Sequence, residues 1–249
     1  MNDLKIKQFY DELSRRFASV VYEHGLSAEH IEIHARALTP EEAIGHPGRT
    51  DYPILTGKEQ MIEATCNGAR GQAFTDAPSK FTGTVADILT LDLVGNEHDR
   101  GLFIASMNAV LRSLHLIEGT VHCKDSEPEE CARQMEDQIM ETFGHPRILQ
   151  VGFQPALVQR LGARFSLRVL DLNPDTIGSR RSGILIEDGG KAMKDAICWA
   201  DLILCTGSTL ANGTIVDYID LGKKVIFFGT TLSGAAYLMG LERWCFCSC

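Results

Sequence analysis

The chain has 249 residues, of which 44% are hydrophobic and 23% are charged, a balance that is typical of a protein with a substantial buried core. Its formal net charge of -9 provides no attraction to nucleic acid or to an anionic membrane, so we expect neither as a partner. The apolar runs are too short to cross a bilayer, and the N-terminal stretch MNDLKIKQFYDELSRRF is charged and amphipathic, unlike a secretion signal. We therefore expect a cytoplasmic protein.

Eight cysteines in a chain of this length, without a secretion signal, are expected to be free thiols. Cys66, Cys198 and Cys205 have apolar neighbours, so we expect them in the core. The adjacent pair His122-Cys123 carries two metal-binding side chains, but neighbours in a strand point to opposite faces. This pair alone is therefore weak evidence for a metal site.

The chain ends in CFCSC, in which cysteines alternate with other residues. If this stretch is extended, its sulfurs lie on one side and are candidate ligands of a soft metal. The candidate metal ligands are Cys245, Cys247 and Cys249. The alternative is a terminal strand with buried or frayed thiols, because three thiolates without a fourth donor leave a tetrahedral site incomplete.

The N-terminal half does not alternate strands with helices. An apolar stripe at helical spacing predicts a first helix that ends before Gly25. The glycine of Asn67-Gly68 predicts a hairpin. The predicted strands are 31–37, 52–55, 61–66 and 72–74, and the later helices are 84–91, 102–116 and 127–143. This order predicts an α+β unit.

After Gly144 the rhythm changes to alternating strands and helices. The predicted strands are 148–153, 167–171, 202–205 and 223–228, and the helices are 156–161, 193–199 and 214–221. Such alternation predicts an open parallel sheet with right-handed crossovers. The predicted fold class is therefore α/β, with an α+β domain at residues 1–145 and a Rossmann-like domain at residues 146–249.

A polar turn follows the strand 202–205 and leads into a predicted helix. In a parallel sheet such a turn lies at the carboxyl edge, where backbone N–H groups and hydroxyls form a seat for an anionic or polar ligand. The candidate ligand-binding residues in this stretch are Gly207, Ser208, Thr209, Asn212 and Thr214. The alternative is that Ser208 or Thr209 caps the helix and Asn212 fills a turn.

Three residues outside that turn are also candidates for the same pocket. Gly152 lies in the first strand-to-helix turn, where a dinucleotide fold carries GxGxxG, but only one glycine is present. Asp171 ends the next strand, at the position where a carboxylate hydrogen-bonds to a ribose in dinucleotide folds. The alternative is that Asp171 only shapes a turn. Asn108 is polar within an apolar helix, so it either ties two elements together or faces the pocket. We expect the turn, Asp171 and Asn108 to surround one pocket between the domains.

Several stretches resemble the family described as heavy-metal chelation proteins. They are GLFIASMNAVL, GFQPALVQRL with LRVLDLNP, LILCTGSTLANGTIVDYIDLGKKVIFFGTT, and GAAYLMGLERW. The resemblance implies an enolase-N-terminal-like domain before a Rossmann-like domain. It also implies a ligand cleft between the two domains, and a role in binding a metal or a metal-chelating small molecule.

Two functions follow from these observations. The first is a binder of a metal chelate or of a divalent or soft heavy metal in the interdomain cleft. The second is an enzyme that uses S-adenosylmethionine or another nucleotide-like cofactor over the Gly152 turn, with Asp171 on the ribose. The missing glycines favour the first. Whether the protein is catalytic and whether it forms a homo-oligomer are left open by the sequence.

Overall fold

The computed structural model describes residues 2–25, 32–57, 59–78 and 80–249. The helices are α1 (Asn2–Glu23), α2 (Pro40–Ile44), α3 (Val85–Ile88), α4 (Glu97–Ser113), α5 (Glu127–Phe143), α6 (Pro155–Gly162), α7 (Gly189–Trp199), α8 (Ser208–Ala211) and α9 (Ser233–Met239). The strands are β1 (Glu32–Leu38), β2 (Gln60–Cys66), β3 (Ala69–Thr75), β4 (Phe81–Thr84), β5 (Ile148–Val151), β6 (Leu167–Asp171), β7 (Arg180–Arg181), β8 (Ile184–Asp188), β9 (Leu202–Thr206) and β10 (Lys224–Phe228).

The first four strands form an antiparallel sheet in the order β3-β2-β1-β4. β2 and β3 are joined at Asn67 and Gly68, which both have positive φ, so the predicted hairpin is confirmed. The predicted strand 52–55 is wrong, because Pro53–Thr56 forms a 3-10 turn instead. Pro53 has no N–H for a strand ladder and its φ suits the first position of a helical turn. Ile31, the first residue of the predicted strand 31–37, lies outside the described residues.

Helix α4 lies directly on this sheet and is buried from Arg100 to Leu111. Gly71 on β3 allows the close approach, because a Cβ there would lie 2.2 Å from the backbone nitrogen of Ala109. The glycine therefore serves the contact between a strand and a helix.

The other six strands form a second sheet in the order β10-β9-β5-β6-β8-β7. Its pairs are parallel except for that between β7 and β8. The predicted α/β class, with an antiparallel and a mostly parallel sheet, is confirmed. β7 and β8 were not predicted, because β7 has two residues and β8 carries the exposed Leu185 and two acidic side chains.

The helix predicted at 214–221 does not form. Thr214–Asp217 is a 3-10 turn that follows Gly213, whose backbone is left-handed. Asp220 also has a positive φ, of 55°, which an α-helix does not tolerate. Between β9 and β10 the chain is therefore a series of turns that includes the four-residue helix α8.

The two sheets share two hydrophobic clusters, one of which runs from α1 through α4 to α9. Phe17 on α1 and Phe103 on α4 meet edge to face with centroids 5.7 Å apart, and the Tyr10 hydroxyl donates to the carbonyl of Leu210. β5, the first strand after residue 145, pairs with β6 and β9. We keep 1–145 and 146–249 as a proposed division into two domains.

Among the described helices, none is long and apolar enough to cross a membrane.

Candidate functional site

A cavity of about 310 Å³ lies between the carboxyl edge of the parallel sheet and the N-terminal unit. Its wall includes Tyr52, Ile54 and Phe74 from that unit, opposite the ends of β5, β6 and β9. Seven of the eight predicted ligand-binding residues line it: Gly152, Asp171, Gly207, Ser208, Thr209, Asn212 and Thr214. The topology thus brings together residues that are up to 62 positions apart in the chain (from 152 to 214).

Gly152 is required by its own backbone and by its neighbour on β9. Its φ is +86°, and a Cβ would lie 2.6 Å from Cγ2 of Thr206. The glycine therefore allows the carboxyl ends of β5 and β9 to pack in direct contact.

We expect the substitution Gly152→Ala to lower the free energy of unfolding by about 2 kcal/mol, from the left-handed backbone and the collision with Thr206. Gly178→Ala is the matched control, because Gly178 has a φ of +80° and open space around its Cβ position. Urea denaturation of both variants separates the cost of the left-handed backbone, which both share, from that of the collision with Thr206, which only Gly152→Ala has. Equal losses would contradict a packing role for Gly152.

Asp171 lines the cavity but its carboxylate also holds the following turn. One oxygen accepts from the backbone N–H groups of Leu172 and Asn173 at 2.7 and 3.1 Å, and the other accepts from the Thr176 hydroxyl at 3.0 Å. The alternative role of shaping a turn is therefore present in the structure. The Oδ2 oxygen accepts only the Thr176 hydrogen bond of these three, so its second lone pair remains for a ligand.

The turn after β9 satisfies many of its polar groups internally. The N–H of Gly207 donates to Phe228 O at 2.7 Å, and that of Ser208 donates to the Thr206 hydroxyl at 3.3 Å. Thr214 donates its N–H and its hydroxyl to the Asn212 side-chain oxygen at 3.0 and 2.7 Å. These N–H groups are therefore not available to bind an anion. Helix α8 is also too short to provide a substantial dipole.

Arg100 holds the turn from the opposite side. Its guanidinium is buried, donates to Ala211 O at 2.7 Å, and also donates to the carbonyls of Leu93 and Val94. An α4 side chain thus fixes the backbone of the cavity wall. The sequence gives no sign of this link, because the two ends are 111 residues apart.

Asn108 is the predicted site residue that does not line the cavity. It is fully buried, its amide nitrogen donates to Gln72 O at 3.0 Å and Thr230 O at 3.2 Å, and its oxygen accepts from Gly234 N–H at 2.7 Å. The expectation that it faces the pocket is wrong. It ties α4 and β3 to the start of α9, which is the alternative that the sequence left open.

Glu59, just before β2, is a wall residue that sequence reasoning missed. Burial, and then the nearby carboxylates of Asp171 and Asp76, raise its pKa to about 7. The residue lies in a polar loop without any motif, so only the fold reveals that it faces Asp171. A carboxyl group that is half ionised at neutral pH is typical of a functional site.

One end of the wall, the sulfur end, consists of His122, Cys123, Cys131 and Cys245. His122 Nδ1 lies 2.6 Å from Cys123 O, and the ring packs edge to face on Phe74. Burial lowers the pKa of His122, so its imidazole is neutral at pH 7. Contrary to the strand argument, His122 and Cys123 line the same cavity, because their segment is irregular.

The C-terminal tail is not extended, so the condition for three sulfurs on one side is not met. It turns at Phe246 and Cys247, while the backbone of Cys249 exchanges hydrogen bonds with that of Val121 at 2.8 and 3.0 Å. Among the described residues, no group of three His, Cys, Asp or Glu side chains is arranged to hold a metal ion. The predicted trio of Cys245, Cys247 and Cys249 is therefore not assembled.

Cys131 on α5, which was not among the candidate metal ligands, lines the sulfur end together with Cys245. Its thiol interacts with Cys245 by a hydrogen bond, which lowers the pKa of Cys245 well below its usual range and raises that of Cys131. The nearby guanidinium of Arg243 also lowers the pKa of Cys245. Burial raises the pKa of Cys123. The Cys131 thiol and Arg243 thus favour the ionised form of Cys245 over that of its neighbours, because both lower its pKa.

The expected core cysteines are only partly confirmed. Cys66 and Cys205 are buried, and burial raises the pKa of Cys205 to about 12. Cys198 is exposed, because its face of α7 points away from the sheet. All eight cysteines are free thiols, as expected.

Comparison with known proteins agrees with the family resemblance. Residues 136–240 match the family DUF364, which is described as "Putative heavy-metal chelation". The DUF364 segment contains Gly152, Asp171 and the turn after β9, whereas Glu59 and the sulfur end lie outside it.

Two solved DUF364 proteins of unknown function resemble the chain. One, from Pyrococcus horikoshii, is 17% identical over 88% of this chain and 79% of that chain, with a TM-score of 0.50. The other, from Desulfitobacterium hafniense DCB-2, is 13% identical over 73% of this chain and 72% of that chain, with a TM-score of 0.49. The likeness to the Pyrococcus horikoshii protein shows a shared fold. No curated protein matches the chain.

Proposed function

We propose that this protein binds a metal chelate, meaning a small chelating molecule together with its metal, in the cavity between its two sheets. The observation that carries this proposal is the composition of the wall. Carboxylates at Glu59, Asp171 and Asp217 share one cavity with the imidazole and thiols of the sulfur end. This mixture of oxygen, nitrogen and sulfur donors suits a transition metal and its ligands. The DUF364 description supports the same role.

A chelate fits the wall better than a bare ion. Among the described residues, no three donor side chains stand close enough to enclose an ion. A metal bound here would therefore bring most of its coordination shell from the small molecule. The aromatic and aliphatic wall, including Tyr52 and Phe153, would pack against the organic part of that molecule.

The charge of the wall also selects its ligand. Its described residues include three acidic side chains and neither lysine nor arginine. A bare phosphate or pyrophosphate would find no cationic side chain among these residues. A metal complex with exposed positive charge would instead be attracted to the three acidic side chains. This argues against a dinucleotide cofactor.

S-adenosylmethionine is the second candidate, and one observation favours it. Gly152 and Asp171 follow the adjacent parallel strands β5 and β6 and line the same cavity. This is where a nucleoside and its ribose bind in Rossmann-like folds. S-adenosylmethionine also carries a positive sulfonium, which the acidic wall would accept.

The test is a thermal-shift comparison of the full chain with the cationic complex of nickel(II) and bipyridine, bipyridine alone, nickel(II) alone and S-adenosylmethionine. A ligand at one hundred times its Kd stabilises the folded state by about 2.7 kcal/mol, which raises the Tm. We expect the largest shift from the metal complex. A shift from S-adenosylmethionine alone would replace the proposal with the second candidate.

Asp171→Asn and Asp217→Asn are expected to weaken binding of the metal complex roughly tenfold each, because each removes one negative charge from the wall. Asp220→Asn is the matched control, because Asp220 is exposed, lies outside the cavity wall and has a left-handed backbone that asparagine tolerates. Titration of the complex by calorimetry measures all three. Equal affinities would place the ligand elsewhere.

A further inference from the structure

His122 is held in the wall of the cavity by three separate contacts. Its backbone N–H donates to the side-chain oxygen of Gln72 at 2.7 Å, and its Nδ1 lies 2.6 Å from the carbonyl oxygen of Cys123. Its ring also packs edge to face on Phe74, with ring centroids 5.4 Å apart. The backbone and the ring of this histidine are therefore both fixed by the protein itself.

The contact with Cys123 decides which ring nitrogen of His122 carries a hydrogen. A backbone carbonyl oxygen can only accept a hydrogen bond, so Nδ1 bears the hydrogen and donates it. Burial lowers the pKa of His122, which keeps the ring neutral at pH 7. In this neutral tautomer Nε2 has a lone pair and no hydrogen, so it can only accept a hydrogen bond.

Nε2 of His122 is an acceptor without a partner. The hydrogen bonds of this residue involve its backbone N–H and Nδ1, and within the described part of the chain none reaches Nε2. Because the ring lines the cavity, a ligand that supplies a hydrogen-bond donor to Nε2 gains affinity there. His122 lies outside residues 136–240, so the match to DUF364 does not account for it.

We propose that the organic part of the ligand presents an N–H group to Nε2 of His122. The inference rests on the proposed function and deepens it by naming the class of chelator, which is a nitrogen heterocycle whose N–H points away from the metal. Groups that coordinate a metal give up their protons, whereas an outward N–H takes no part in coordination and keeps its hydrogen.

The other polar groups of the wall also favour a donor-bearing ligand. The carboxylates of Glu59, Asp171 and Asp217 accept hydrogen bonds, and the described wall contains neither lysine nor arginine. No group of three His, Cys, Asp or Glu side chains is arranged to hold an ion in the described ranges. We therefore assign to Nε2 a hydrogen-bond donor of the ligand and not a bare metal ion.

The first experiment compares two nickel(II) complexes that differ in one group. Pyridylimidazole chelates the metal and keeps an outward N–H, whereas its N-methyl derivative has a methyl group in that position. Calorimetric titration of the full chain should show roughly tenfold tighter binding of the N–H complex, as expected for one added hydrogen bond. Equal affinities of the wild type for the two complexes would overturn the inference.

His122→Phe tests whether this preference belongs to His122. Phenylalanine keeps an aromatic ring beside Phe74 but has no acceptor, so the variant should bind the two complexes with equal affinity. His145→Phe is the matched control, because His145 is exposed and lies outside the cavity wall, and it should keep the preference. A preference that persists in His122→Phe would mean that another residue excludes the methyl group, and would overturn the inference.

A measurement on the wild type keeps the inference testable if His122→Phe does not fold. Nitrogen NMR of the histidine rings distinguishes a ring nitrogen that bears a hydrogen from one that does not. We expect the hydrogen of His122 on Nδ1 in the free protein, and a shift of the Nε2 signal when metal-free pyridylimidazole is added. A hydrogen on Nε2 in the free protein would overturn the inference.

These results separate the inference from the proposed function. If both nickel complexes bind the wild type and His122→Phe with one common affinity, the proposed function stands and the inference fails. If neither complex binds but metal-free pyridylimidazole still shifts the Nε2 signal, the proposed function fails and the N–H site at His122 stands. If neither complex binds and the signal does not shift, both fail.

Discussion

Replacement of Asn108 by alanine is expected to lower the free energy of unfolding by about 3–5 kcal/mol. The side chain is fully buried, and its removal leaves the N–H of Gly234 and the carbonyls of Gln72 and Thr230 without their partner. Each unpaired buried group costs roughly 1–3 kcal/mol. For a chain of this size, we expect the Tm to fall by roughly 10 °C.

Ser106 provides the matched control on the same helix. It is also fully buried, but its hydroxyl has no hydrogen-bond partner among the described residues. Ser106→Ala should therefore change the free energy of unfolding by about 1 kcal/mol or less, because no hydrogen bond is lost. Urea denaturation of both variants gives the comparison. Similar small effects at the two positions would mean that the Asn108 hydrogen bonds do not hold α4 to α9.

Glu59→Gln is expected to make the protein more stable at pH 8.5, relative to the wild type, by roughly 2 kcal/mol, with little difference at pH 5. The wild-type pKa is raised to about 7 by burial and by Asp171 and Asp76. The carboxyl group is ionised in the unfolded chain above its ordinary pKa of 4.5, but stays protonated in the folded chain up to about pH 7. Folded wild-type protein therefore loses stability as the pH rises through this range.

Glutamine cannot ionise, so it does not lose this stability at high pH. Urea denaturation at pH 5 and pH 8.5 measures the difference, and Glu141→Gln on the exposed side of α5 controls for the loss of a charge as such. A Glu59→Gln variant that is less stable than the wild type at pH 8.5 would show that the ionised carboxylate is held by a favourable partner. In that case Glu59 would be part of an ion pair.

Long, periodic elements were the most predictable parts of the fold. The helix predicted at 127–143 and the strand predicted at 167–171 match α5 and β6 residue for residue. Their periodicity and their Gly and Pro boundaries are local properties of the sequence. The stretches 52–55 and 214–221 were wrong, because a proline and left-handed residues override apolar spacing over so few residues.

Seven of the candidate site residues were predictable for a related reason. Polar residues at the carboxyl ends of parallel strands meet at one edge, so Gly152, Asp171 and the turn after β9 had to converge once the sheet was recognised. Whether each of them binds a ligand stays a prediction. The same pattern could not show that Asp171 and Asn212 also hold their own turns, because those hydrogen bonds depend on side-chain rotamers.

The sequence by itself determined the two kinds of sheet and the strand ends that line a cavity, because hydrophobic period and turn residues act over a few positions. The division between residues 145 and 146 stays a prediction. Only the tertiary structure decided what stands opposite those strand ends. It buried Asn108 in hydrogen bonds and placed Glu59, Asp171 and the sulfur end in the wall of one cavity. These contacts join residues far apart in the chain, so no local pattern encodes them.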